Sequence, residues 1–168
     1  MAQDPNNYWE QLERLEKLIR ASELKAGVIF SFHSLILGLF VDRLDTFQSQ
    51  IEGKPLLIAL LVLWMCTVLI SIYFCFKCFM PRIETKMKRN VFFFRDAAAN
   101  YGGIEEYTKE LMKVCGSEEE LYTLLSEQIF IESEIITGKF NSVQRSIRFF
   151  AVSLVVAGLF VAAWLITS

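Results

Sequence analysis

Apolar positions along the chain follow two patterns, one periodic and one continuous. In residues 7–25, NYWEQLERLEKLIRASELK, Trp9, Leu12, Leu15, Leu18 and Ile19 recur every three or four positions with charges between them. That spacing gathers apolar side chains on one helix face, so residues 1–25 are read as an N-terminal amphipathic helix. Asp4 ahead of Pro5 supplies a cap and a first-turn proline. The pattern then turns continuous. AGVIFSFHSLILGLFV, residues 26–41, is uncharged between Lys25 and Asp42. Its 16 residues fall short of the roughly 20 that a span needs. The helix before it can run in and supply the length, so 26–42 is read as transmembrane helix 1. After a polar connector ending near Gly53, PLLIALLVLWMCTVLISIYFCF at 55–76 is uncharged for 22 residues. Transmembrane helix 2 is assigned to 55–78, with Pro81 as its stop. The run FFAVSLVVAGLFVAAWLITS gives transmembrane helix 3 at 148–167.

Between spans two and three, residues 82–147 are polar and helix-periodic. The second half of RIETKMKRNVFFFRDAAANY predicts a helix ending at Gly102–Gly103, and IEEYTKELMKVC a second one stopped by Gly116. Ser117 with Glu120 forms a capping box. From there Leu121, Leu124, Leu125, Ile129, Ile135 and Ile136 keep helical spacing with only Gly138 as a weak breaker, so 117–168 reads as one helix entering span three. The expected fold is an all-α membrane protein: three transmembrane helices, the N-terminal amphipathic helix, and a cytoplasmic helical region at 82–147 that acts as the sensor.

Composition agrees with this pattern. The 168 residues are 54% hydrophobic with mean hydropathy +0.38, where soluble domains sit near 45–50% apolar. A net charge of −2 offers no basic field, so nucleic acid is not an expected partner. Three prolines and 8 glycines argue against disorder or an all-β fold. The acidic, polar start MAQDPNNYWEQLERLEK lacks the pattern of a signal peptide. Cys75 and Cys78 form a CxxC without further ligands nearby, so they read as small residues on a membrane helix, and no metal or cofactor is expected. Basic residues set the orientation. Arg14, Lys17, Arg20 and Lys25 precede span one, only Arg43 and Lys54 follow it, and none follows span three. The N-terminus and 82–147, which carries Arg82, Lys86, Lys88, Arg89, Lys139, Arg145 and Arg148, are therefore placed in the cytoplasm, with the C-terminus outside.

His33 is the sole histidine and falls inside a span, where an ionisable group suggests function. Lys25 and His33 are the candidates for membrane gating. The alternative for His33 is a neutral imidazole bonded to Ser31, Ser34 or a neighbouring helix. Without a Ser/His/Asp or Cys/His set, no enzyme is expected. The segment 86–96, KMKRNVFFFRD, sets cations beside phenylalanines. Such a set binds a phosphate and stacks a base. Equally, it suits lipid head groups, with the phenylalanines packed in a core. Ala151, Ser153, Ala157, Gly158, Ala162 and Ala163 permit close helix packing, either within one protomer or in a homo-oligomer.

Three stretches carry a resemblance: SELKAGVIFSFHSLILGLF at 22–40, FFFRDAAANYGGIEEYTKEL at 92–111 and LLSEQIFIESEIITGKF at 124–140. In this order and spacing the chain resembles the transmembrane effectors of bacterial Pycsar anti-phage systems, the PycTM-type family. The resemblance implies that a neighbouring cyclase makes a cyclic pyrimidine mononucleotide, cUMP or cCMP, during infection. The effector then impairs the inner membrane, and the infected cell stops growing or dies. The chain has no room for a separate cyclic-nucleotide-binding β-roll, so a ligand would use the helical cytoplasmic region or an interface between protomers. On that reading Lys88, Arg89, Arg95 or Lys139 holds the phosphate. Phe92, Phe94, Tyr101 or Tyr107 stacks the base, and Asp96, Glu127 or Gln128 reads its edge or the ribose. The expected partners are the cyclic nucleotide, the lipid bilayer and further copies of the chain. The competing readings are a membrane-anchored helical interaction protein and a holin-like toxin that needs no nucleotide.

Overall fold

The computed structural model describes residues 4–44, 51–80 and 89–167. Every secondary-structure element among them is helical: α1 Asn6–Asp42, α2 Pro55–Phe79, α3 Phe94–Ala99, α4 Ile104–Cys115 and α5 Glu118–Thr167. Of these, α1, α2 and α5 are long and apolar enough to cross a membrane. The amphipathic start and the short apolar run are one continuous helix. At 1.5 Å per residue the 37 residues of α1 extend about 55 Å, ample for a hydrocarbon core of about 30 Å. The 50 residues of α5 likewise run without a break from the polar region to the end of the third apolar run.

Local chemistry sets the helix starts. The backbone N–H of Asn6 donates to Asp4 Oδ1 at 3.0 Å, and that of Glu120 to Ser117 Oγ at 3.4 Å, the first half of the expected capping box. Pro55 occupies the first turn of α2, where its missing N–H costs nothing. Gly103, at φ +156° and ψ 179°, precedes α4 in a conformation that only glycine adopts easily.

The chain divides into two compact units. The first comprises the described residues of Met1–Arg20 and Pro81–Thr137. Leu15, Val91, Val114 and Leu125 are buried there. Trp9 meets Phe92 edge-on at 5.4 Å, and Tyr8 lies against Tyr122 at 5.2 Å.

The second unit comprises the described residues of Ala21–Met80 and Gly138–Ser168. It packs α1, α2 and α5 along three successive clusters. Ala26, Ile29, Cys75, Cys78 and Val143 form one, Trp64, Val68 and Val156 the next, and Ile51, Leu57 and Phe160 the last. Its outer surface is apolar: Leu39, Val62 and Val155 are 57–64% exposed, which suits lipid rather than water. The small residues of α5 divide between two faces. Ser153 is buried against the neighbouring helices, whereas Ala151, Gly158 and Ala162 lie on the outer face.

Polar bonds tie the three spans together. Lys139 Nζ donates to Glu23 Oε1 and to the Cys78 carbonyl, both at 2.7 Å, and is only 8% exposed. Ser71 Oγ donates to the Ser146 carbonyl at 2.9 Å, and the Cys75 sulfur lies 3.0 Å from Ser146 Oγ. Lys54 Nζ caps the other end, donating to the Thr167 carbonyl at 2.6 Å. Removing one member of a buried ion pair costs about 3–5 kcal/mol, and less where the partner is part-exposed. Lys139→Met is therefore expected to destabilise the fold by roughly 2–3 kcal/mol. Thermal melts of the detergent-solubilised protein, followed by circular dichroism, would check this.

Candidate functional site

Within the first unit, the segment entering α3 is pinned by Asn90, which is 1% exposed. Its Nδ2 donates to the Leu124 carbonyl at 2.9 Å and to Glu127 Oε2 at 3.2 Å. Its Oδ1 accepts the Phe92 N–H at 2.9 Å, turning the backbone towards α3. The Asn90 N–H in turn donates to Asp96 Oδ2 at 2.9 Å, and Asp96 Oδ1 accepts from Asn100 Nδ2 at 2.7 Å. Asp96 and Glu127, two candidates for reading a ligand's edge, are thus part of the bracket that holds α3 against α5.

A second cluster surrounds Arg89. Its Nη2 lies 2.7 Å from Glu106 Oε1, and the guanidinium carbon stands 3.6 Å from the centre of the Tyr101 ring. Glu106 Oε2 also accepts the Gly102 N–H at 2.8 Å. The Arg89 bond, then the Gly102 bond, holds the Glu106 carboxyl below the usual carboxylate range. Tyr101 meets Tyr107 edge-on at 5.2 Å, and the Tyr107 hydroxyl donates to the Val91 carbonyl at 3.3 Å. Arg89 and Tyr101 are therefore partnered with each other.

Phe94 and Arg95 differ. Phe94 is 78% exposed at the start of α3, touching Phe93 at 5.1 Å. Arg95 is exposed and has no ion-pair or hydrogen-bond partner among the described residues. A free guanidinium can pair with a phosphate, and an open aromatic ring on the neighbouring helix position can stack a base.

The remaining candidates are placed otherwise. Phe92 is half-buried and packs edge-on against Trp9. Lys139, in the second unit, is already bonded to Glu23 and Cys78. Lys88 lies outside the described residues. Lys25 is exposed on α1, and His33 is buried with its ring edge-on to Phe150 at 5.0 Å. Ser31 and Ser34 do not bond His33. Their hydroxyls donate back to the Gly27 and Phe30 carbonyls, as helical serines commonly do. Among the described residues, no group of three or more His, Cys, Asp or Glu could hold a metal.

Gln128 is buried and donates from Nε2 to Glu132 Oε1 at 3.1 Å. Among the described residues, Gln128 Oε1 and Glu132 Oε2 are both buried acceptors without a donor. Burial raises the Glu132 carboxyl above its usual range; the Gln128 bond opposes this and Glu16 adds to it. Sequence reasoning singled out Gln128 but missed Asn90, Glu106 and Glu132. Glu106 and Glu132 read as ordinary helix-surface acids, and an isolated asparagine carries no periodic signal.

A family model described as the Pycsar effector protein domain matches residues 7–167. No curated protein and no solved structure matches the chain.

Two outcomes are expected from this geometry. Asn90→Ala removes a buried side chain that makes several bonds and should lower stability by roughly 2 kcal/mol, seen as a lower melting temperature. Glu132 binds its proton more tightly folded than unfolded, so its stabilising contribution is present below its unfolded pKa and is lost as pH rises through the folded one. Glu132→Gln should therefore melt above the parent at pH 8, with the gap closing towards pH 4. A gap independent of pH would separate Glu132 from that titration.

Proposed function

The chain belongs to the family of Pycsar effector protein domains, and we propose on that footing that it senses a cyclic pyrimidine mononucleotide, cUMP or cCMP, and responds by impairing the inner membrane. An anti-phage effector role and a place in the membrane follow from the family and from the three spanning helices. The observation that carries the finer reading is the extent of the match. It covers the polar helical region and all three candidate spans together, which supports a reading in which one chain both senses and acts on the membrane.

In this proposal the ligand meets the exposed surface at the start of α3. Arg95 takes the phosphate and Phe94 stacks the base, with Asn90, Asp96 and Glu127 holding α3 in place. Bound charge needs a cation that is not already neutralised, and Arg95 meets that condition better than Arg89. The positive-inside bias puts the N-terminus and 82–147 in the cytoplasm, where the nucleotide is made. The outward Ala151, Gly158 and Ala162 of α5 give a second copy a close-packing face, in keeping with a homo-oligomer. The chain acts as a responder and catalyses no reaction.

Purified protein reconstituted into dye-loaded liposomes tests this reading. Leakage is expected with cUMP or cCMP and not with cAMP. Arg95→Ala should raise the nucleotide concentration required about tenfold or more, the worth of a charge-assisted bond, and Phe94→Ala by a smaller factor. Leakage without any nucleotide would favour a signal-independent toxin. No leakage under any nucleotide would favour a membrane-anchored interaction protein.

A further inference from the structure

Polar groups at the centre of a membrane bundle are costly, and apolar packing alone could fill the space. In the second unit one half of the interior nevertheless carries polar groups among the apolar Ala26, Ile29, Cys78 and Val143. Ser22 and His33 of α1, Ser71 and Cys75 of α2, and Ser146 and Ser153 of α5 point inward, each 2% exposed or less. At the same depth the outer faces are apolar, with Leu35, Leu69 and Val155 each more than half exposed. Hydroxyls bonded across helices can serve as glue, and Ser71 and Ser146 do bond each other. That role does not extend to His33. Its Nε2 is buried without a hydrogen-bond partner among the described residues, one helical turn along α5 from Ser146. A group of this kind lacks the partner that water would provide.

The seam is closed at both ends. Lys139, bonded to Glu23 and Cys78, marks one end. At the other, Trp64, Val68 and Val156 form an apolar layer, in which the buried Thr67 hydroxyl donates to the Trp64 carbonyl at 2.7 Å. Past this layer lies a half-open cavity of about 310 Å³, lined by Phe40, Arg43, Leu61, Trp64 and Trp164 and reaching the outward-facing Val161. Polar seam, apolar layer and cavity thus follow one another along a single bundle. Apolar constrictions of this kind block water and ions by dewetting and open when widened or made polar.

We propose that the interior seam of α1, α2 and α5 is a permeation path for water and small ions, closed here by the Trp64, Val68 and Val156 layer. The proposal deepens the membrane-impairing reading and rests on it for its biological sense. When the helices part, water reaches the serine hydroxyls and His33 Nε2, and the path is continuous once the apolar layer is wet.

The native thiols provide the test. Changing Cys66, Cys78 and Cys115 to Ser leaves Cys75, inside the seam, as the single cysteine. In liposomes, without nucleotide, a membrane-impermeant thiol reagent should label Cys75 slowly. Adding Val68→Ser with Val156→Ser should speed labelling about tenfold and let chloride or protons through, whereas the lipid-facing Leu69→Ser should do neither. Unchanged labelling and flux in a normally folded Val68→Ser/Val156→Ser protein would overturn the path. Labelling that rises without flux would also overturn it, leaving only a wet crevice. Should that variant not fold, the single-cysteine parent decides under cUMP or cCMP. Leakage with Cys75 labelled supports the path. Leakage with Cys75 protected overturns the path alone, and neither leakage nor labelling overturns both the path and the membrane-impairing reading.

Discussion

The spanning bundle depends on the placement of one buried ammonium. A lysine excluded from water is tolerable only if its charge and donors are met. Lys139 meets them on two other helices at once, through the Glu23 carboxylate of α1 and the Cys78 carbonyl of α2. The second partner is one of the last carbonyls of α2, which lacks a helical donor and lies at the negative end of the helix dipole. One side chain therefore fixes three helices, and the register follows. Seven residues on along α5 and seven back along α2, Ser146 meets Ser71. Twenty-one on and twenty-one back, Phe160 joins Leu57. The equal offsets describe an antiparallel pair whose alignment is set where Lys139 is held.

Much of this fold is legible in the chain. Long apolar runs admit few solutions in lipid, because every backbone polar group has to be satisfied within its own helix. The marginal run at 26–41 gains its length from unbroken helical sequence on its N-terminal side, and α1 is continuous for that reason. Likewise Gly138 alone does not interrupt α5, since one glycine costs about 1 kcal/mol against many helical bonds. Sequence left open which way each polar residue faces. Small-residue spacing in span three suited either of two packing roles, and the structure divides it, with Ser153 inward and Gly158 outward.

The candidate site was less legible, and the reason is pairing. Composition identifies cations and aromatics in 86–96 but cannot say which are already neutralised. Arg89 and Arg95 are equivalent in a string of letters. In space Arg89 is held by Glu106, seventeen residues away, while Arg95 has no such partner among the described residues. Asn90 is harder still. Its bond to the Leu124 carbonyl spans 34 residues and no local pattern announces it. Residues that position a site through distant hydrogen bonds escape periodicity arguments, because periodicity records only which face of its own helix a residue occupies.

The bilayer changes what a closed state costs. In water, parting three helices exposes apolar surface and is opposed by the hydrophobic effect. In lipid that opposition is largely absent, since acyl chains are as apolar as valine or leucine. The closed bundle is held instead by its polar ties, Lys139 to α1 and α2 and Ser146 to α2, and by the apolar layer of Trp64, Val68 and Val156 that water wets reluctantly. The first set contributes a few kcal/mol and the second a dewetting barrier. Moving such an equilibrium from nearly all closed to nearly all open takes about 5.5 kcal/mol of differential binding. A free energy of that size is within reach of a few charge-assisted bonds and a stacked ring. An unpartnered His33 at the centre works in the same direction. On the proposed path, its Nε2, unpartnered among the described residues, would gain a hydrogen bond from water in the wet state, so that a smaller differential affinity would open the bundle than a fully satisfied core requires.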